Sequence, residues 1–144
     1  MKRHALSLVS LLSLLLVAGS AIAQSGPVRS NIPFDFTVEG KTIPAGTYTI
    51  GHEGYSPELL LLQSNDSKLQ MIVGSNAAEN HQGANKTKLV FNRYKDQYFL
   101  SEIWVQGATR GRQIPRSARE KELAKEMAST NLKGDRVEIV ASLY

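Results

Sequence analysis

Between Thr87 and Gln106 two β-patterned runs are separated only by Lys95-Asp96, and large apolar side chains fall at both odd and even positions. A two-residue joint sets Phe91 opposite Leu100 and Asn92 opposite Phe99. One face then carries Leu89, Phe91, Tyr98, Leu100 and Trp104, and the other Val90, Tyr94, Phe99, Ile103 and Val105. A hairpin apolar on both sides must be covered on both sides, which excludes a single open sheet and requires a layered fold. The chain has no cysteine. Disulfide scaffolds, thiol nucleophiles and cysteine-ligated metals are therefore excluded, and the layers must be held by burial alone.

The rest of the chain supplies material for such layers. Ile32-Pro33-Phe34-Asp35-Phe36-Thr37-Val38 alternates with the two-residue period of a half-buried strand, with Ile32, Phe34, Phe36 and Val38 on one face and Asp35 on the solvent side. Pro33 cannot donate to a ladder, so this strand is expected to begin at an edge or to pair on one side only there. Pro44-Ala45-Gly46 has turn chemistry, and Thr47–Ile50 is a second strand. Glu58–Gln63 contains four consecutive leucines, but it is short and bounded by Ser56-Pro57 and by Ser64–Ser67, so it reads as a strand. Leu69–Gly74 is its hairpin partner. Residues 75–86 lack large apolar groups and read as an exposed loop, and residues 107–112 read as a flexible joint.

Ser117-Ala118-Arg119-Glu120 has the form of a capping box, with helix formers following. The predicted helix spans about 117–131 and bears a narrow stripe of Leu123, Ala124, Met127 and Ala128. Gly134 is the expected stop. A stripe this narrow calls for docking on a sheet. Residues 136–143 are a last strand. The expectation is a mainly β fold, an antiparallel sandwich or small barrel of about seven strands with one C-terminal amphipathic helix.

The first 23 residues have a different character. Lys2 and Arg3 precede an apolar run from Ala5 to Val17, and small residues end in Ala21-Ile22-Ala23. This is the layout of a secretory signal peptide, with cleavage expected between Ala23 and Gln24. The apolar run is interrupted by Ser7, Ser10 and Ser13 and falls short of the roughly 20 residues a spanning helix needs. No transmembrane anchor is therefore expected after cleavage. The expected product, residues 24–144, is a single β-rich domain, secreted or periplasmic. Loss of Lys2 and Arg3 lowers the formal charge from +4 to +2, so the basicity is partly that of the leader.

Reactive constellations are sparse. The sequence has neither a phosphate-binding glycine loop nor a Gly-x-Ser-x-Gly elbow. His52 and His81 are too few and too poorly spaced to predict a metal site with Glu53 or Glu79. No cofactor is implied. Were the chain a hydrolytic enzyme, Asp35, His52, Glu79 and His81 would be the first residues to change. The one basic cluster, Arg110, Arg112, Arg116 and Arg119 with Lys121, could contact an anion by bidentate hydrogen bonding. An anionic envelope lipid, a cell-wall polymer or a nucleic acid would all qualify, but the formal charge is too weak to identify a polyanion binder, and nucleic acid is not the expected partner.

Ile32–Tyr48, reading Ile-Pro-Phe-Asp-Phe-Thr-Val-Glu-Gly-Lys-Thr-Ile-Pro-Ala-Gly-Thr-Tyr, resembles the opening of a group of small secreted bacterial proteins of unknown function. The likeness extends through Lys88–Tyr94, Gln97–Ser101 and Arg112–Ser117, although Lys95 stands where members of that group often carry glycine. The resemblance implies export and a β-rich domain, and neither an activity nor catalytic residues. The functional expectation is an exported noncatalytic binding or structural domain of the bacterial envelope. The alternative is a carrier of a small apolar ligand in a barrel cavity.

Overall fold

The computed structural model describes residues 26–144; the leader and the Ala23–Gln24 junction lie outside the described residues. The chain builds two facing, mainly antiparallel sheets and one helix. The first sheet comprises β1 (Val28–Ile32), β4 (Gly46–His52), β5 (Leu59–Ser64), β6 (Gln70–Gly74) and β12 (Ser142–Leu143), in the order β12-β1-β4-β5-β6. The second comprises β2 (Phe36–Val38), β3 (Lys41–Ile43), β7 (Asn76–Glu79), β8 (Lys88–Tyr94), β9 (Gln97–Trp104), β10 (Arg110–Gln113) and β11 (Asp135–Val140). Its main path runs β11-β8-β9-β10-β7; β2 lies parallel to β9 through Thr37 and Phe99, and β3 pairs with β2.

The arrangement is a sandwich rather than a closed barrel. Its core joins Val28, Ile32, Tyr48, Ile50, Leu60, Leu62 and Val73 of the first sheet to Phe36, Val38, Leu89, Phe91, Leu100 and Ile103 of the second. The leucine run is a strand, with Leu60 and Leu62 inward and Leu59 and Leu61 outward; inward and outward alternation has decided the matter over leucine's weak β preference. The outer face of the second sheet is covered by α1 (Ala118–Ser129), whose Leu123 and Met127 pack against Tyr94 and Phe99. Both sides of the hairpin are thus covered.

The strand expected over Ile32–Val38 is broken. Ile32 ends β1 in one sheet and Phe36 begins β2 in the other, so Pro33-Phe34-Asp35 is a bridge between layers. Phe34 still points inward, stacked on Tyr98 at 3.8 Å between ring centroids. Asp35 is exposed, and its carboxylate accepts the Ala45 N–H at 2.8 Å. Tyr48 is fully buried, donates from its hydroxyl to the Pro44 carbonyl at 2.7 Å, and meets Phe36 edge-on.

Residues 75–86 are not simply an exposed loop, nor are residues 107–112 a free joint. Asn76–Glu79 pairs with Arg110–Gln113 over four residues. Backbone bonds from Asn80 to Thr109 (2.8 Å), Ala84 to Ala108 (3.0 Å) and Gly107 to Ala84 (2.8 Å) pin the segments that follow and precede these strands. Small, uncharged side chains in Asn76-Ala77-Ala78 conceal a strand from any hydrophobicity pattern. Among the described residues twelve strands stand where about seven were expected, because short pieces (β1, β3, β7, β10, β12) lack an apolar period of their own.

One local reading also changes, and one is matched. Gly134 does not stop the helix: Thr130 caps it and Asn131 takes the left-handed conformation (φ 55°). A Cβ on Gly134 would lie 2.7 Å from the Tyr94 ring, so close packing requires glycine there. The β8–β9 turn is the expected two-residue one, Phe91 faces Leu100 and Asn92 faces Phe99, and Lys95 holds φ 58°, a conformation that favours glycine.

Candidate functional site

The hairpin register shifts once. Val90 pairs with Glu102 but Phe91 pairs with Leu100, so Ser101 is an extra residue on β9. A one-residue slip exchanges the two faces of a strand beyond it. The expectation placed Trp104 with Phe91 and Leu100, and Ile103 and Val105 on the opposite side. The bulge reverses this. Ile103 and Val105 join the inter-sheet core, while Trp104 packs outside with Val90 and Ala84.

The displaced Ile103 and Val105 line a cleft of about 1050 Å³ between the sheets, at the end where β4 finishes and β9 runs out. Its opposite wall is Val28, Ile50 and Leu60, with Leu143 beside them. Three other depressions on the described surface are smaller, about 390, 240 and 380 Å³. Small-molecule sites usually occupy roughly 300–1,000 Å³ and combine apolar walls with a few polar groups. The titratable groups here are His52 and Glu58 on the first sheet and its loop, and Arg110 and Arg112 on β10, with Asn76, Gln106 and Thr109 as uncharged polar neighbours.

The inward direction of the two arginines follows from register. Arg112 lies opposite Ile103 on one side and Ala77 on the other, and directly paired residues share a face. Ile103 faces the core, so Arg112 does too, and Arg110 two residues earlier points the same way. Arg112 is half-buried and donates from Nε to Ser75 Oγ (3.0 Å) and from Nη2 to the Ser75 carbonyl (2.8 Å). Ser75 is buried at the point where the chain crosses from β6 to β7, and its hydroxyl and N–H both donate to the Glu58 carbonyl, at 2.9 and 2.8 Å. Arg112 therefore holds a crossover between the sheets while facing the cleft.

The structure does not gather the four candidate anion-contacting arginines. Arg116 lies 3.7 Å from Glu120, and Arg119 lies 3.6 Å from Glu122 at the helix start. Only Arg110 and Arg112 reach the cleft. Nor does the capping box close as its spacing predicts. The Glu120 N–H donates to Ser117 Oγ (3.2 Å), but the Glu120 carboxylate turns inward, 3% exposed, and accepts from Asn92 Nδ2 (2.9 Å) and the Tyr94 hydroxyl (3.2 Å). It docks the helix on the sheet. Burial, followed by the nearby Glu120 charge, pushes the Tyr94 hydroxyl above its usual pKa.

Asp35, His52, Glu79 and His81 do not converge. Asp35 lies near the Ile32–Gly46 end of the β1–β4 pair and His52 at the opposite end, by the cleft; Glu79 ends β7 and His81 lies beyond it. Among the described residues, no group of three or more His, Asp or Glu side chains is placed to hold a metal ion.

A second polar group lies on the outer face. Glu102 accepts Trp104 Nε1 (2.6 Å) and both terminal nitrogens of Arg136 (2.9 and 2.7 Å). Burial alone would raise the Glu102 carboxyl, but the hydrogen bonds from Arg136 and Trp104 outweigh it and hold it below the usual carboxylate range. These contacts fix the indole on the outer face.

The class defined by fold and site is an open antiparallel β-sandwich with a ligand-sized cleft between its layers. No protein-family model, curated protein or solved structure matches the chain. No helix among the described residues is long and apolar enough to cross a membrane.

Proposed function

We propose that the chain is an exported, noncatalytic binding domain of the bacterial envelope, secreted or periplasmic, that holds a small apolar or amphiphilic ligand between its sheets. The observation that carries this reading is the cleft of about 1050 Å³ walled by Val28, Ile50, Leu60, Ile103 and Val105. An open cleft of this size with aliphatic walls and a few polar groups has the make-up of a small-molecule site. The carrier role expected of a barrel passes to the inter-sheet cleft. Export is supported by the Lys2–Ala23 leader and by the resemblance of Ile32–Tyr48 to small secreted proteins.

A neutral apolar dye, N-phenyl-1-naphthylamine, tests the reading on protein recovered from export of the full chain. Saturable fluorescence enhancement is expected, and it is expected to be lost in Ala77→Trp, which places an indole among the cleft-lining residues. Non-saturable enhancement, or equal binding by a folded Ala77→Trp variant, would overturn the assignment. Native mass spectrometry of protein purified from its own host then identifies any retained occupant.

A further inference from the structure

We infer that the occupant of the cleft is a single-chain anionic amphiphile, an alkyl chain ending in a carboxylate, with the chain between the sheets and the carboxylate on Arg112. The inference rests on the cleft reading above and adds the chemistry of the ligand.

The walls determine the tail. Val28, Ile50, Leu60, Ile103 and Val105 are aliphatic, and no phenylalanine, tyrosine or tryptophan is among the lining residues. Flat polar ligands such as nucleobases are commonly held by stacking on aromatic faces, which this lining does not provide. A flexible alkyl chain needs only aliphatic contact and exclusion from water.

Arg112 determines the head. A guanidinium has five N–H donors in a planar fork. Ser75 occupies the edge made by Nε and one hydrogen of Nη2. The edge formed by Nη1 and the second hydrogen of Nη2 has no protein acceptor among the described residues. That edge has the spacing of a carboxylate and binds it with two parallel hydrogen bonds. None of the ion pairs among the described residues includes Arg112 or Arg110. A half-buried cation without a counter-ion on the inner face of a sandwich is costly unless an anion joins it. Glu58 is the one carboxylate in the lining and is exposed at the rim, whereas Arg112 is held in place by a buried serine. Preorganisation of this kind lowers the ordering cost of binding. Arg110, exposed two residues away on the same face, adds a second positive charge at the mouth.

Competition against the neutral dye separates tail from head. Dodecanoate and 1-dodecanol share a chain, and the alcohol is the more apolar, so without headgroup recognition it should compete at least as well. Dodecanoate is expected to displace the dye at about a tenfold lower concentration, a difference of about 1.4 kcal/mol. Acetate at the same concentration should displace none. In Arg112→Gln the preference for dodecanoate should vanish while competition by dodecanol is unchanged. Thermal melting and tryptophan emission establish that the variant is folded. Should it fail to fold, Arg110→Gln, altered at an exposed position, should narrow the preference. Equal competition by dodecanoate and dodecanol in the unaltered protein would overturn the inference and leave the cleft reading standing. So would displacement by acetate, or an unchanged preference in folded Arg112→Gln. Failure of the dye itself to bind would overturn both.

Discussion

Replacing Gly111 with alanine probes the layer that shapes the cleft from behind. Gly111 lies on β10 between the two cleft arginines, and its outer side faces the indole of Trp104. A Cβ there would lie 2.6 Å from Trp104 Cε3, 2.7 Å from Cδ2 and 2.8 Å from the Ile103 carbonyl oxygen. Carbon atoms pack at about 3.5–4.0 Å, so the ring or strand must shift by roughly an ångström. The ring is poorly able to yield, because Trp104 Nε1 is bonded at 2.6 Å to Glu102, which Arg136 clamps at both oxygens. Overpacking of this kind costs about 1–3 kcal/mol. Restriction of the unfolded chain by the added methyl returns roughly 0.4–1 kcal/mol, which, set against the middle of that range at about 2 kcal/mol, leaves a net loss of about 1–2 kcal/mol. For a domain of this size that lowers the melting temperature by about 3–10 °C. Trp104 is the chain's one tryptophan, so its emission reports the same displacement directly. Trp104→Leu in the alanine background should recover part of the loss, with a coupling of about 1 kcal/mol in a double-mutant cycle. An unchanged melting temperature together with superimposable emission would refute the packing argument.

Two further outcomes follow from the polar contacts. Glu120→Ala leaves Asn92 Nδ2 and the Tyr94 hydroxyl without their carboxylate acceptor; at about 1.5–3 kcal/mol for each hydrogen bond to a charged group, reduced because Asn92 keeps its bond to Ser101 Oγ, it should cost roughly 2–5 kcal/mol in urea unfolding, and Glu120→Gln, which keeps an acceptor, should cost less. Glu102 and Glu138 are both held below the ordinary value of 4.5, Glu138 chiefly by its hydrogen bond from Lys88. As pH falls, the unfolded chain takes up these protons before the native state does. Their stabilising contribution is therefore complete above about pH 5 and drains away as pH drops through 4.5 and below, and Arg136→Gln should flatten the Glu102 part of that acid limb in melts recorded from pH 6 to pH 3.

Much of the layering was legible because it is written in period-two patterns. The two-sided hairpin from Thr87 to Gln106 demanded two covers, and the structure provides the first sheet on one side and Leu123 and Met127 of the helix on the other. The illegible part was the phase of those patterns. Nothing in Ser101 or its neighbours marks an extra residue, yet that residue decides which of Ile103 and Trp104 lies inside. Likewise Asn76–Glu79 and Arg110–Gln113 have no apolar alternation, and only their mutual pairing makes them strands. Long-range pairing supplies such strands with stability, and a local reading has no access to it.

This division bears on how the cleft was missed. The most recognisable segment, Ile32–Tyr48, is occupied with its own architecture. Asp35 holds Ala45, Tyr48 holds Pro44, and Phe36 seals the pair, all near the β1–β4 end opposite the cleft. A segment whose polar groups are consumed in its own turns specifies a scaffold. The arginines that do enter the cleft come from a stretch that reads as a joint, and Ser75, which orients one of them, comes from a stretch that reads as a loop. Their role depends on three register facts together: the bulge at Ser101, the pairing of Arg112 with Ile103, and the crossover at Ser75. Each fact is long-range, so ligand choice in this fold is free to change with the pairing of β10 and β7 while the Ile32–Tyr48 scaffold stays the same.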